Sequence, residues 1–206
     1  ATTARLLPNG CFPRGVFLFK GPCYSVGMND ILTLTNREKR GLTLILTRDE
    51  ARQSKTELIA RLILSGPLFV LSGDEWLPSY ELPRRIREQT TEVTRVMNRL
   101  YTGRASTCHR LFDSLSSIPS KGEPILAIEL LHTFYDADVP LRTRLFRLRE
   151  CCRELKRLSF YRPIIVMTQE MVTEDYEKCV PALCSISDTI FRLDPELEQI
   201  QQPALF

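Results

Sequence analysis

Short apolar runs alternate with longer stretches of helical spacing along most of the chain. Leu42–Thr47, which reads LTLILT, has the length and composition of a buried parallel strand. Thr56–Leu64 then carries apolar residues at helical spacing and is stopped by Ser65-Gly66-Pro67. Leu68–Leu71 predicts the next strand, closed by Ser72-Gly73-Asp74. From Tyr80 to about Tyr101, Leu82, Ile86, Val93, Met97 and Leu100 form an amphipathic helical stripe, with an interruption expected at Gln89-Thr90. Thr107–Leu115 predicts a short helix, and Pro124–Leu131 an apolar strand in which Glu129 stands out. Leu141, Leu145, Leu148, Cys152 and Leu155 fall on one face of a long helix from about Pro140 to Leu158, with proline suited to its first turn. Pro163–Thr168 reads as another buried strand, followed by a polar connection to Pro181 and a last strand at Thr189–Leu193. Upstream, Ile31–Thr35 reads as a strand, and Val16–Lys20 as a β-like run within a segment rich in Pro and Gly.

This alternation predicts an α/β fold with a mainly parallel β-sheet flanked by helices. Residues 1–40 are expected to be an N-terminal extension or strand pair, a candidate partner contact, and residues 41–206 one core domain. The 206 residues, 43% of them hydrophobic, suffice for that core. No apolar run approaches the roughly 20 residues that span a bilayer, and the sequence opens without a basic-plus-apolar signal, so a soluble intracellular protein is expected. Seven cysteines include no CxxC pair, and His109 and His132 are not at zinc-finger spacing, so reduced thiols and no metal site are expected.

The chemistry concentrates after the first strand. The octet Asp49-Glu50-Ala51-Arg52-Gln53-Ser54-Lys55-Thr56 stands where a phosphate-binding loop, G-x-x-x-x-G-K-[ST], would stand between strand and helix. In such a loop backbone N–H groups cradle phosphates, the lysine holds the β and γ groups, and the hydroxyl ligates Mg²⁺. Lys55 and Thr56 occupy the last two places, but Asp49 and Ser54 replace the glycines. One glycine supplies a positive φ and the other lets backbone approach the phosphates. Asp49 also sets a negative charge beside them.

These residues resemble the RecA-type recombinase core and, within it, the eukaryotic recombinase paralogues. The recombinase loop reads G-E-F-R-T-G-K-T, and D-E-A-R-Q-S-K-T keeps Glu50, Arg52, Lys55 and Thr56 in register. LFVLSGDEWLPSYEL is similar to the family segment that ends its strand in the water-activating acid, which the resemblance places at Asp74, with Glu75 as the alternative. ILAIE resembles the Walker B strand, with Glu129 in the position of its aspartate. The long helix, the strand ending Met167-Thr168-Gln169-Glu170 against the family T-N-Q, and SDTIFRL continue the likeness, which covers roughly residues 40–194. It implies a nucleotide-binding set of Glu50, Arg52, Ser54, Lys55 and Thr56 in degenerate form, and vestigial catalytic acids at Asp74 and Glu129. Glu for Asp at the metal shell suits Mg²⁺ geometry less well. No resident cofactor is expected; Mg²⁺ with ATP is the ligand that a working loop would take.

Net charge is a modest +3, so the distribution of basic residues matters more than their sum. Arg142, Arg149, Arg153 and Lys156 fall within about 60° of one another on the long helix, a stripe able to track phosphates. Arg84, Arg85 and Arg87 form a second basic cluster near the expected catalytic loop. The DNA-holding loops of the recombinase family map to Tyr135–Leu141 and Met171–Leu183, both poor in basic residues. His132 reads as a structural histidine and Trp76 as a buried or interface residue, and Leu6–Phe19 offers apolar residues by which a RecA-type protomer would dock.

The resemblance extends to the small accessory subunits of Shu-type mediator complexes. It implies a non-catalytic nuclear protein that pairs with another RecA-like or zinc-bearing subunit and promotes recombinase filament assembly on single-stranded DNA in homologous recombination repair, with no membrane association. Two rivals remain open: an active P-loop ATPase, and a RecA-fold scaffold subunit such as those in the Elongator ring.

Overall fold

The structure is a computed structural model that describes residues 5–6, 23–26, 31, 40–47, 52–73, 78–170 and 173–193. Asp49, Glu50, Asp74, Glu75, Trp76, the run Val16–Lys20 and nearly all of Leu6–Phe19 lie outside the described residues.

The strands are β1 (Arg5–Leu6), β2 (Cys23–Val26), β3 (Gly41–Thr47), β4 (Leu68–Ser72), β5 (Leu100–Arg104), β6 (Ile125–Ile128), β7 (Pro163–Gln169) and β8 (Thr189–Leu193). They form one eight-stranded sheet in the order β1-β2-β8-β3-β7-β6-β4-β5. Every pairing is parallel except that of β1 with β2. The helices are α1 (Arg52–Ser65), α2 (Glu81–Arg87), α3 (Val93–Met97), α4 (Cys108–Ser117), α5 (Leu141–Ser159) and α6 (Glu174–Ile186), with a 3-10 turn at Leu130–Phe134. The chain is thus an α/β protein with a mainly parallel sheet flanked by helices, consistent with a RecA-like core.

Strands buried on both faces need apolar residues at successive positions, which is why LTLILT and PIIVM read as runs rather than alternations. Leu42, Leu44 and Leu46 face α4, α5 and α6 in one core cluster, whereas Ile45 faces α1, α2 and α3 in the other. The helices that follow the adjacent strands β3 and β7 therefore leave toward opposite faces: α1 to one, α6 to the other. At such a switch point a crevice opens outside the carboxyl ends of the strands, the place where open α/β sheets bind ligands.

Polar groups brace both ends of the sheet. Asp188 accepts from the Leu42 N–H at 2.8 Å through Oδ2 and meets Lys156 Nζ at 2.7 Å through Oδ1, tying β3 to the end of α5. Arg144 donates to the Phe134 carbonyl at 2.8 Å and to Asp175 at 2.7 Å, fixing the 3-10 turn between α5 and α6. Arg162, almost fully buried, holds the loop between α4 and β6 through the carbonyls of Pro119, Ser120 and Glu123.

Four expectations need correction. The Tyr80–Tyr101 stripe is not one helix: it breaks after Arg87, resumes briefly at Val93–Met97, and Leu100–Arg104 is an edge strand paired with β4. The strand predicted to reach Leu131 ends at Ile128, because Glu129 turns into a left-handed conformation. The polar connection to Pro181 is instead α6, which carries Pro181 inside it. Ile31 is helical and fully buried, not the start of a strand, and the rest of that expected strand, residues 32–35, lies outside the described residues. In each case tertiary pairing or packing overrides a weak local signal.

Cys108, Cys151, Cys152, Cys179 and Cys184 are buried. Burial pushes the Cys152 thiol up to about 12 and the Cys179 thiol to about 11, and raises Cys108 and Cys151 as well. The native state holds these protons more tightly than the unfolded chain, whose thiols ionise near 9.0. Their contribution is full below that pH and is lost as pH rises toward the native values. The urea midpoint is accordingly expected to fall between about pH 8 and about pH 10.5, and to fall less in a Cys152→Ala, Cys179→Ala variant; an equal fall in both proteins would contradict this.

Candidate functional site

The first turns of α1 bring Lys55 and Thr56 to the carboxyl edge of β3. Leu58, Ile59, Leu62 and Ile63 are buried in the core and fix the rotation of the helix, which leaves Lys55 and Thr56 buried as well. Arg52 opens the helix and is exposed, and Ser54 is half-buried. Glu50 and Asp74 lie outside the described residues, so the cradle of the loop and the expected catalytic acid are not described.

Glu129 lies across the crevice. It follows β6 with φ 51° and ψ 37°, alone among the described non-glycine residues in having a positive φ. Such backbone costs on the order of 1 kcal/mol and persists only where the surroundings impose it. Here they do. The Glu129 N–H donates to the Met167 carbonyl at 2.9 Å, and the Gly73 N–H donates to the Ile128 carbonyl at 2.9 Å. Gly73 packs so closely that a Cβ on it would lie 2.3 Å from the Glu129 carbonyl oxygen, so only glycine fits. The glycine that closes β4 thereby wedges the elbow that aims Glu129.

The Glu129 carboxylate is held on both oxygens. Oε2 accepts from the Gln169 N–H at 3.1 Å and from the Thr168 hydroxyl at 3.4 Å. Oε1 faces Lys55 Nζ at 2.9 Å, and the two side chains are only 12% and 6% exposed. Nζ approaches Oε1 outside hydrogen-bond geometry, so the contact is chiefly one of charge on charge. Lys55 is thus neutralised by Glu129. A second ion pair, Arg192 with Glu170 at 2.5 Å, stands at the ends of β7 and β8, and the Glu170 N–H donates to the Thr47 carbonyl at 2.6 Å.

Thr56 has turned inward. Its hydroxyl lies 2.9 Å from the Arg52 carbonyl and 3.4 Å from Glu81 Oε2. With a single proton it donates to the nearer oxygen, an i to i−4 bond within the helix. Glu81 was not foreseen: it sits at the start of α2, and no motif in the sequence flags it. Thr47 Oγ1, at the end of β3, is buried without a hydrogen-bond partner among the described residues.

The two basic clusters lie elsewhere, on opposite faces of the sheet. Leu82 and Ile86 pack α2 into the α1 side, whereas Leu148, Cys152 and Leu155 pack α5 into the other. On α2, Arg85 pairs with Glu88 at 3.2 Å, while Arg84 and Arg87 are exposed. On α5, Lys156 is occupied by Asp188, while Arg142, Arg149 and Arg153 are exposed and have no partner among the described residues. The stretch expected as a second DNA-holding loop, Met171–Leu183, is largely helix, and its Lys178 pairs with Glu174. His132 is exposed, its ring edge-on to Tyr135.

A buried ion pair is strongly unfavourable to break from one side and nearly neutral to remove whole. Lys55→Met and Glu129→Gln, each alone, are expected to lower unfolding free energy by roughly 3–5 kcal/mol, and the double variant to return within about 1 kcal/mol of the parent. Additive losses in chemical denaturation would show the two charges to be independent. Separately, Gly73→Ala is expected to cost about 2 kcal/mol by overpacking the Glu129 elbow; unchanged stability would remove the wedge from the account.

No known family model matches the chain, and no curated protein matches it closely enough to count as a relative.

Proposed function

We propose that the chain is a non-catalytic recombinase-paralogue subunit of a mediator complex that promotes recombinase filament assembly on single-stranded DNA in homologous recombination. The observation that carries this reading is the buried Lys55–Glu129 ion pair, 2.9 Å long, in the crevice where a RecA-type protein holds nucleotide. To bind a γ-phosphate there, Lys55 must leave Glu129, and Glu129 would remain buried without its countercharge. Replacement of both loop glycines by Asp49 and Ser54 compounds that cost. A site with these residues keeps the shape of a protomer while losing the chemistry.

In this reading the fold works as a surface. It offers a RecA-type face to a second RecA-like or zinc-bearing subunit and to the recombinase, with single-stranded DNA as the shared substrate, in the nucleus. Thr56 supports the same view, because its hydroxyl is directed to the Arg52 carbonyl and not held out for a metal.

Steady-state ATP hydrolysis by the purified chain, with Lys55→Ala as control, tests the non-catalytic half of the proposal. No turnover above background is expected from either protein. Turnover that Lys55→Ala abolishes would replace the reading with an active P-loop ATPase. Recombinase filament growth on single-stranded DNA, followed with and without the chain and its co-purifying subunit, tests the other half. Faster nucleation is expected, and no effect would sink the mediator role.

A further inference from the structure

Helix α5 carries seven basic residues, and the structure divides them sharply. Arg144 is spent on Asp175 and the Phe134 carbonyl, Arg147 on Glu150, Arg157 on Glu154, and Lys156 on Asp188. Both acids of the helix are consumed by these pairings, each with the arginine three residues away on the flank. Left over are Arg142, Arg149 and Arg153, exposed and unpaired among the described residues. At 100° per residue they stand within about 40° of one another on the outer crest.

The same crest carries aromatic rings. Phe146 is 56% exposed and Phe160, at the C-terminal cap, is 64% exposed, while neighbouring helical apolar residues such as Leu148 and Leu155 are buried. By the same angular count, Phe146 and Phe160 lie within about 40° of Arg142. Both rings stay more than half exposed although Arg147 lies 6.0 Å from the Phe146 ring centroid and Lys156 Nζ 5.9 Å from that of Phe160. The order Arg142, Phe146, Arg149, Arg153, Phe160 spans about 27 Å at 1.5 Å per residue.

We propose that this crest is a track for single-stranded nucleic acid, in which the arginines hold successive phosphates and the two phenylalanines stack unpaired bases. Positive charge that tracks a backbone, interleaved with aromatic platforms, is the chemistry that grips single strands without reading sequence. A duplex offers the phosphates but keeps its bases stacked inward, so it engages only half of the track. An acidic protein surface would likewise satisfy the arginines but gives the phenylalanines no stacking partner. The inference deepens the mediator reading by assigning the DNA to α5, on the face of the sheet that does not carry α1.

The test is fluorescence anisotropy of the full chain with a labelled oligo-dT, the same oligonucleotide with abasic sites, and a duplex. Binding is expected to weaken with salt at a slope of about −2 in log K against log salt, as three phosphate contacts on a single strand require. Arg149→Ala is expected to reduce that slope by about 0.7. Phe146→Ala and Phe160→Ala are each expected to weaken oligo-dT binding by about tenfold and leave the slope unchanged. All these side chains are exposed, so circular dichroism and thermal unfolding should match the parent. Equal affinity for the abasic strand, or phenylalanine variants that bind as the parent, would overturn the track in favour of a surface for acidic protein. Oligonucleotide binding that survives replacement of all three arginines by alanine would overturn it outright. Normal stimulation of the recombinase by such a triple variant would sink the track alone; intact oligonucleotide binding without stimulation would sink the mediator reading alone.

Discussion

Two opposite charges buried at the mouth of a parallel sheet must either neutralise one another or be neutralised by a ligand. In this protein Lys55 and Glu129 neutralise one another, and much of the architecture serves to make that contact. The packing of Leu58, Ile59, Leu62 and Ile63 sets the turn of α1 that aims Lys55 inward. The left-handed backbone of Glu129, wedged by Gly73 and bonded to the Met167 carbonyl, aims the carboxylate back. Gln169 and Thr168 then fill the other oxygen. Lys55 from α1 and Thr168 and Gln169 from β7 thus converge on one carboxylate, while Gly73 and Met167 set the backbone that carries it.

That locus sits where the connections from β3 and β7 leave for opposite faces of the sheet, the point at which α/β proteins collect ligands. In that crevice the charges of Lys55 and Glu129 are turned on each other. Unpaired positive charge on the outside of α5 comes from Arg142, Arg149 and Arg153. Flanking pairs absorb the acids of that helix and leave a crest of arginines between exposed rings. Buried charge closes one surface of the molecule, and unpaired charge opens another.

How much of this was legible in the sequence depends on how local the determinant is. Strands buried on both faces announce themselves as apolar runs, so β3, β4, β7 and β8 were readable almost to the residue, whereas β6 was read three residues too long. Lys55, Thr56 and Glu129 stood out in the sequence through a motif's register, and the structure brings Lys55 and Glu129 together at 2.9 Å. The edge strand Leu100–Arg104 was not, because its apolar positions continued a helical period and only pairing with β4 makes it extended. Helix α6 was masked by its polar first turns and by Pro181. The Lys55–Glu129 contact itself spans more than seventy residues of sequence, and the positive φ of Glu129 has no signature in a residue that usually avoids it. Exposure separated the arginine stripe into spent and unspent charges, and it brought in Phe146 and Phe160, which periodicity alone leaves indistinguishable from core residues.

The central claim is that Lys55 belongs to Glu129 and not to a phosphate. It is tested most directly by an experimental structure of the chain crystallised with Mg²⁺ and a saturating non-hydrolysable ATP analogue. The account predicts that Lys55 Nζ stays near 2.9 Å from Glu129 Oε1, with no phosphate in the crevice. Phosphate oxygens on Lys55 Nζ, with Glu129 swung away toward a metal ion, would contradict it.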